Sequence, residues 1–207
     1  MKQLFHILFA VTLTFAGGSE AMALEEAKYS VKEKEGKFEV REYSPHILAE
    51  TIVQGDLEEA GSKAFNRLFQ YISGNNQTQS KIDMTAPVSQ KPGGEKIEMT
   101  APVGQQRVKE KWAVSFMMPA SYTLETIPEP LDPKVTLRVV PAQRIAAVRY
   151  SGFWSEQNFL QNKQELRSWI ETKGLTITGE PVWARYNSPF SLWFLRRNEV
   201  LIPIATE

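Results

Sequence analysis

The sequence predicts an α+β fold built from two hairpin-plus-helix halves related by a pseudo-two-fold axis. Three observations carry this. Alternating apolar and polar residues run from Phe38 to Val53 and again from Val135 to Tyr150, the pattern of half-buried strands. Each stretch is followed by a glycine, Gly55 or Gly152, and then by residues at helical spacing. The two units also align at an offset of 97 positions, which matches Phe38 with Val135, Val40 with Leu137, Leu48 with Ile145 and Ala49 with Ala146.

The chain opens on Lys2, an apolar run from Leu4 to Phe15, and the small-residue pattern Ala21-Met22-Ala23. That is the plan of a cleaved secretory leader, too short to anchor in a bilayer. Residues 1–23 are therefore expected to be removed on export, giving a periplasmic or secreted protein of 207 − 23 = 184 residues. No later stretch suits a transmembrane helix. Lys28 to Glu35 reads as a charged lead-in. Two strands within 38–53 are expected around a turn at Ser44-Pro45. Asp56, with Glu59 three residues on, opens a helix as an acidic capping box. Its apolar stripe is Leu57, Ala60, Ala64, Phe65, Leu68, Phe69 and Ile72, and Gly74-Asn75-Asn76 ends it. Asn76-Gln77-Thr78 is formally a glycosylation sequon. In the second unit the strands turn at Pro141-Ala142, and a helix over about 155–172 ends at Gly174. Further strands are expected at 112–118, 182–187 and 191–204, with a Pro-rich connection at 127–133.

Between the two units stands a tandem motif. Lys81-Ile82-Asp83-Met84-Thr85-Ala86-Pro87-Val88 recurs as Lys96-Ile97-Glu98-Met99-Thr100-Ala101-Pro102-Val103, identical at seven of eight positions. A hairpin turning on Gly93-Gly94 would set Met84 opposite Val103, Ala86 opposite Ala101 and Val88 opposite Met99. Met84 and Met99 then either line a ligand surface or belong to the core.

Composition removes many chemistries. Lysine plus arginine and aspartate plus glutamate both number 24, and the pI near 6.8 argues against a nucleic-acid surface. With no cysteine there are no disulfides, thiolate metal sites or thiol nucleophiles. The histidines are His6, lost with the leader, and His46. No nucleophile elbow, zinc-protease helix or phosphate loop is present, so neither a catalytic constellation nor a structural metal is expected. The chain is rich instead in flat side chains. Trp112, Trp154, Trp169, Trp183 and Trp193 span both halves, and Phe190, Trp193 and Phe194 stand beside Arg196 and Arg197. Such a mixture suits either core packing or a planar ligand with apolar faces and anionic edges.

Val40-Arg41-Glu42-Tyr43, the two I-x-M-T-A-P-V copies, Phe69-Gln70-Tyr71-Ile72 and Arg196-Arg197-Asn198-Glu199 together resemble the SOUL haem-binding family. The resemblance spans about 28 to 204 and implies one domain over 24–207: a distorted antiparallel β-barrel with two helices and pseudo-two-fold symmetry. It implies non-catalytic binding of haem or a related tetrapyrrole in an open apolar groove, for transport, storage or scavenging. Carried onto this sequence, the groove is Phe65, Arg67, Leu68 and Tyr71 on the first helix, facing Phe190 and Trp193. Arg67 would meet a propionate, and Arg196 could replace a lysine that relatives place in the late loop. His46 is either an axial ligand or a surface turn residue. Two other functions stand beside this one: a binder of a different apolar small molecule in the same groove, and a hydrolase or isomerase using a buried carboxylate.

Overall fold

In the computed structural model, which describes residues 24–78 and 94–206, the chain forms one large sheet with two helices against it. The leader at 1–23 and the first motif copy at 81–88, with Met84 and Gly93, lie outside the described residues. In chain order the elements are β1 (Glu25–Glu26), β2 (Tyr29–Glu35), β3 (Phe38–Tyr43), β4 (His46–Val53), α1 (Leu57–Ile72), β5 (Asn76–Gln77), β6 (Thr100–Ala101), β7 (Val103–Val108), β8 (Lys111–Met117), β9 (Glu129–Pro130), β10 (Val135–Val140), β11 (Gln143–Tyr150), α2 (Glu156–Thr172), β12 (Val182–Arg185) and β13 (Asn198–Ile204). Nine strands make an antiparallel sheet in the order β10-β4-β8-β7-β12-β13-β11-β3-β2, an α+β half-barrel that curls but ends at β10 and β2 without closing.

The expected hairpins are not hairpins. β3 does not pair with β4, nor β10 with β11; the two units exchange partners, β3 with β11 and β4 with β10. The reason is local. A two-residue hairpin turn needs positive φ, whereas Pro45 and Pro141 are held near −65°, so each pair of residues turns a corner between separate ladders. The exchange nevertheless obeys the repeat. Val40 faces Ala146, and their counterparts Leu137 and Ala49 face each other in the same register.

Both helices start and stop as their residues dictate. Asp56 accepts the Glu59 N–H at 2.8 Å, although the Glu59 carboxylate turns to Lys63 rather than closing a capping box. Ser155 caps α2 in the same way, and Gly174 follows its last turn at φ 67°. Leu57, Ala60, Ala64 and Leu68 bury the inner stripe of α1, while Phe159, Leu166, Trp169 and Ile170 bury that of α2. Both helices cover one face of the sheet, where Ala49, Val114, Trp183, Val200 and Val148 are withdrawn from water.

Three segments depart from their expected form. Tyr29–Glu35 is an edge strand and not a lead-in, since Lys32 and Lys34 reach Glu42 and Glu39 across β3. The polar run 103–108 is a central strand, β7. Of 191–204, only Asn198–Ile204 is strand; Arg196 donates to the Ser191 and Pro189 carbonyls and folds the preceding residues into a loop with one 3-10 turn.

The second motif copy is structural. Ile97 is buried, Met99 packs against the core, and Thr100–Ala101 pairs with β1. Val103 is paired on both sides, with Phe116 and Arg185, which leaves no open edge for the expected Met84 partner. Gly94 lies against Gly74, where an added Cβ would come 1.6 Å from the Gly74 carbonyl oxygen. The sequon is also spoken for: Asn76 is buried, donates to the Tyr71 and Glu95 carbonyls, and accepts from the Glu95 N–H.

Candidate functional site

The four expected residues of α1 occupy different environments. Leu68 and Tyr71 are in the core, and the Tyr71 hydroxyl donates to the Pro128 carbonyl at 2.7 Å. Phe65 is half-buried between the half-exposed Phe69 and Phe116. Arg67 lies on the flank of α1 that faces β4 and β10. There it donates to Thr51 Oγ1 at 2.8 Å and pairs with Asp132 at 3.1 Å. Gly61, on the other flank, is the residue that approaches β12.

The late loop is the most exposed apolar surface among the described residues. Phe190 is 93% exposed, Leu195 67% and Trp193 48%, and Leu192 and Phe194 are also exposed. Phe153, from the β11–α2 connection, stacks on Trp193 at 5.1 Å and 16°. The Gly152 N–H donates to the Trp193 carbonyl at 3.0 Å, fixing the loop to the start of α2. Behind this wall Trp154 donates to Asn198 Oδ1 at 2.8 Å, and the Arg196 guanidinium lies 4.6 Å from its ring. Phe153, Trp193 and Phe194 form an exposed aromatic cluster that is tied down rather than frayed. The structure thus brings Phe190, Trp193 and Arg196 together in one loop, and places Arg67 elsewhere.

Two motifs that are far apart in sequence meet in a buried charge network. The Glu199 carboxylate, fully buried, accepts from Arg41 at 2.7 and 3.1 Å, from Arg197 at 3.0 Å and from the Tyr186 hydroxyl at 3.0 Å. Arg41 continues to Glu39 and Tyr43, and Arg197 to Glu26. Burial alone would lower the Arg41 pKa, but Glu199 outweighs it and holds the pKa above the ordinary value. Burial pushes the Tyr43 hydroxyl up to about 12 against the opposing pull of Arg41. With four donors on it, Glu199 is a structural anion rather than a free base.

On the sheet face away from the helices lies a cavity of about 240 Å³, lined by His46, Leu48, Glu50, Ser115, Met117 and Arg138 among others. It falls below the ~300–1,000 Å³ of ordinary ligand pockets, and so is too small for a porphyrin. His46 Nδ1 sits 3.0 Å from the Ser44 carbonyl oxygen. The sheet separates His46 from both helices, so it does not share a site with α1.

Arg185 is a residue that sequence reasoning passes over. It alternates in phase with the buried Trp183, which puts a cation on the helix-covered face of β12. That phase was the available signal. Its Nη2 donates to Gln105 Oε1 at 2.8 Å, and Gln105 is itself locked to the Leu57 carbonyl. Burial pushes the Arg185 pKa down to about 10, a shift that Tyr150 opposes.

The residues present suit a porphyrin face and its anionic edge. Among the described residues no three His, Asp or Glu side chains converge to hold a metal, and no helix is long and apolar enough to cross a membrane.

Residues 24–203 match the family model described as SOUL heme-binding protein. Among curated proteins, the chain is 26% identical over 202 residues to heme-binding protein 2 of Mus musculus, covering 90% of this chain and 93% of that one. It is 27% identical over 176 residues to heme-binding protein 2 of Homo sapiens, covering 79% and 80%. Among solved structures, a hydrolase from Listeria innocua superposes with a TM-score of 0.55 at 15% identity, covering 84% of this chain and 94% of that one. The EcmrR C-terminal domain does so at 0.54 and 12% identity, covering 86% and 99%. At these identities the structural likeness concerns the fold alone.

Proposed function

Because the chain belongs to the SOUL haem-binding protein family, we propose that it binds haem or a related tetrapyrrole on the aromatic wall of the late loop, without catalytic turnover. The observation that carries this reading is the wall itself: Phe190, Trp193 and Phe153 exposed together beside Arg196. Flat apolar side chains bury porphyrin faces, and guanidinium groups receive propionates. Haem would supply an iron centre, but the wall offers no imidazole, so the holding forces are apolar contact and charge. The sequence relatives named heme-binding proteins support the ligand class.

The carboxylate-dependent alternative finds no support in the acids. Lys173 and Trp169 hold Glu35 below the usual carboxylate range, Lys37 does the same to Glu165, and Glu199 is fully paired. As an extension of the reading, the leader at 1–23 delivers the mature domain outside the cytoplasm, where it carries, stores or scavenges tetrapyrrole; intact mass beginning at Leu24 tests this. Titrating the mature protein with haemin tests the binding. A saturable Soret shift at micromolar haemin is expected, and its absence would overturn the reading.

A further inference from the structure

We propose that Arg185 and Tyr150, backed by Trp183, form a carboxylate subsite at the inner end of the aromatic wall, which receives an acidic side chain of the bound ligand. The inference rests on the tetrapyrrole reading for its ligand class, but the subsite itself is argued from its donors.

Arg185 differs from the arginines that pair with carboxylates. Arg41 and Arg197 share Glu199, Arg67 has Asp132 and Arg138 has Glu50. Arg185 donates instead to the neutral oxygen of Gln105 and lies over the Trp154 and Trp183 rings. Two further polar groups lie in the same layer: the Trp183 indole N–H bears on the buried Tyr150 oxygen, and the Tyr150 hydroxyl itself has no acceptor among the described residues. The register brings the three together. Trp183 and Arg185 are two residues apart on β12, and Asn198 of β13 stands between Arg185 and Tyr150 on β11. Asn198 is turned elsewhere: its oxygen accepts from Trp154 and its amide donates to the Gly152 carbonyl. The Arg185 cation and the Tyr150 hydroxyl therefore share a layer that offers no anionic acceptor among the described residues. Buried unsatisfied donors are rare in folded proteins and costly to keep. A water molecule could satisfy two of these groups but would leave the charge uncompensated, whereas a carboxylate does both.

The surroundings fit an entering ligand. Arg185 and Tyr150 are half-buried at the margin of the core, while the Tyr150 hydroxyl and the Trp183 indole nitrogen are themselves withdrawn from water. Trp154 lies within cation–π range of both Arg185, at 5.3 Å, and Arg196, at 4.6 Å, and so links the subsite to the wall. Gly61 keeps α1 clear above it, since a Cβ there would lie 3.2 Å from Arg185 Nη2.

The test compares protoporphyrin IX with its dimethyl ester, read by quenching of tryptophan fluorescence on wild type, Arg185→Gln and Tyr150→Phe, each first shown folded by circular dichroism. Wild type should prefer the free acid by about tenfold or more. Arg185→Gln should abolish that preference while leaving ester affinity within about twofold, and Tyr150→Phe should reduce the preference without abolishing it. An undiminished preference in Arg185→Gln overturns the subsite; if that variant does not fold, an undiminished preference in Tyr150→Phe does so. If wild type binds neither porphyrin, the tetrapyrrole reading fails, and 1-naphthoate against 1-naphthalenemethanol then judges the subsite alone. Selective thermal stabilisation by the naphthoate, lost in Arg185→Gln or reduced in Tyr150→Phe, upholds it; equal or no stabilisation by the two compounds overturns it.

Discussion

Replacing Glu199 with glutamine removes one charge and almost no volume, which isolates the electrostatics of the buried network. In the native fold the carboxylate receives two bonds from Arg41, one from Arg197 and one from Tyr186, none of them exposed to water at the acceptor. The glutamine amide can accept at its oxygen, but it turns an N–H₂ donor toward a guanidinium that is itself only a donor. Arg41 is left 2% exposed with its main counter-ion gone; Glu39, partly open to solvent, is the remaining one. Removing one member of a buried pair costs about 3–5 kcal/mol. For a domain of this size, about 2–4 °C of melting temperature follows each kcal/mol, so Tm should fall by roughly 6–20 °C. Circular dichroism melts at neutral pH provide the assay. Glu50→Gln is the internal control, because its Arg138 partner is half in solvent, and exposed pairs contribute only about 0–1 kcal/mol. If Glu199→Gln melted within about 2 °C of the control, the network would be a surface-like ornament and the argument from burial would fail.

Three further outcomes are expected. His46→Ala should leave haemin affinity within about tenfold, or 1.4 kcal/mol, whereas Trp193→Asp should weaken it more by setting a charge against the ring; collapse of affinity and of a low-spin Soret pattern in His46→Ala would reverse the assignment. Stability should fall between about pH 10 and 12. Burial raises the Tyr43 and Tyr122 pKa values to about 12, and also raises Tyr71, Tyr150 and Tyr186. Above pH 10 the unfolded chain therefore releases protons that the native state keeps. Arg185 opposes this trend, because its lowered pKa favours the native state as pH rises, so a Tm that holds steady from pH 9 to 11 would show that the tyrosines do not dominate. Gly61→Leu should destabilise by about 1–3 kcal/mol despite the helix gain of about 0.5–1 over glycine, measured by urea unfolding; an unchanged midpoint would mean that α1 can lift away from Arg185 and Gln105.

Helices were the legible part of the fold, since Asp56 and Ser155 declare their own caps and the apolar stripes fix which side is buried. Strand pairing was not. Alternation at 38–53 says which residues face inward, but it is silent on which strand lies alongside, and the corner at Ser44-Pro45 looks like a turn whether or not its arms pair. β2 escaped notice because its stability is cross-strand, Lys32 with Glu42 and Lys34 with Glu39, and not apolar. The site divides likewise. Three aromatics crowded beside Pro189 are visible as a candidate wall, but whether Leu68 and Tyr71 face a groove or the core depends on how α1 sits on the sheet. The family motifs Val40-Arg41-Glu42-Tyr43 and Arg196-Arg197-Asn198-Glu199 were visible as marks of resemblance. Their joint role around Glu199 appears only when β3 and β13 are both laid beside β11.

The pseudo-two-fold relation shows why an inward arginine stands in the second half and not in the first. Apart from the edge strand β2, the sheet order is symmetric about the β7–β12 ladder, where Gln105 faces Trp183, and each strand of one half has its counterpart in the other. Across that axis the row Val53, Trp112, Arg107 corresponds to the row Tyr150, Asn198, Arg185. The backbone places the two arginines alike; their neighbours decide what becomes of them. In the first half the large indole of Trp112 fills the middle position, and Arg107 lies over it at 4.5 Å and stays in solvent. In the second half the smaller Asn198 occupies that position and spends its amide on Trp154 and Gly152. Arg185 is left facing Gln105 and the flank of α1 at Gly61, and a tyrosine hydroxyl replaces a valine methyl at the far end of the row. Asparagine at the tryptophan position and tyrosine at the valine position thus leave Arg185 turned inward with no carboxylate partner among the described residues, beside the loop whose aromatics are exposed, whereas Arg107 stays in solvent over the Trp112 ring.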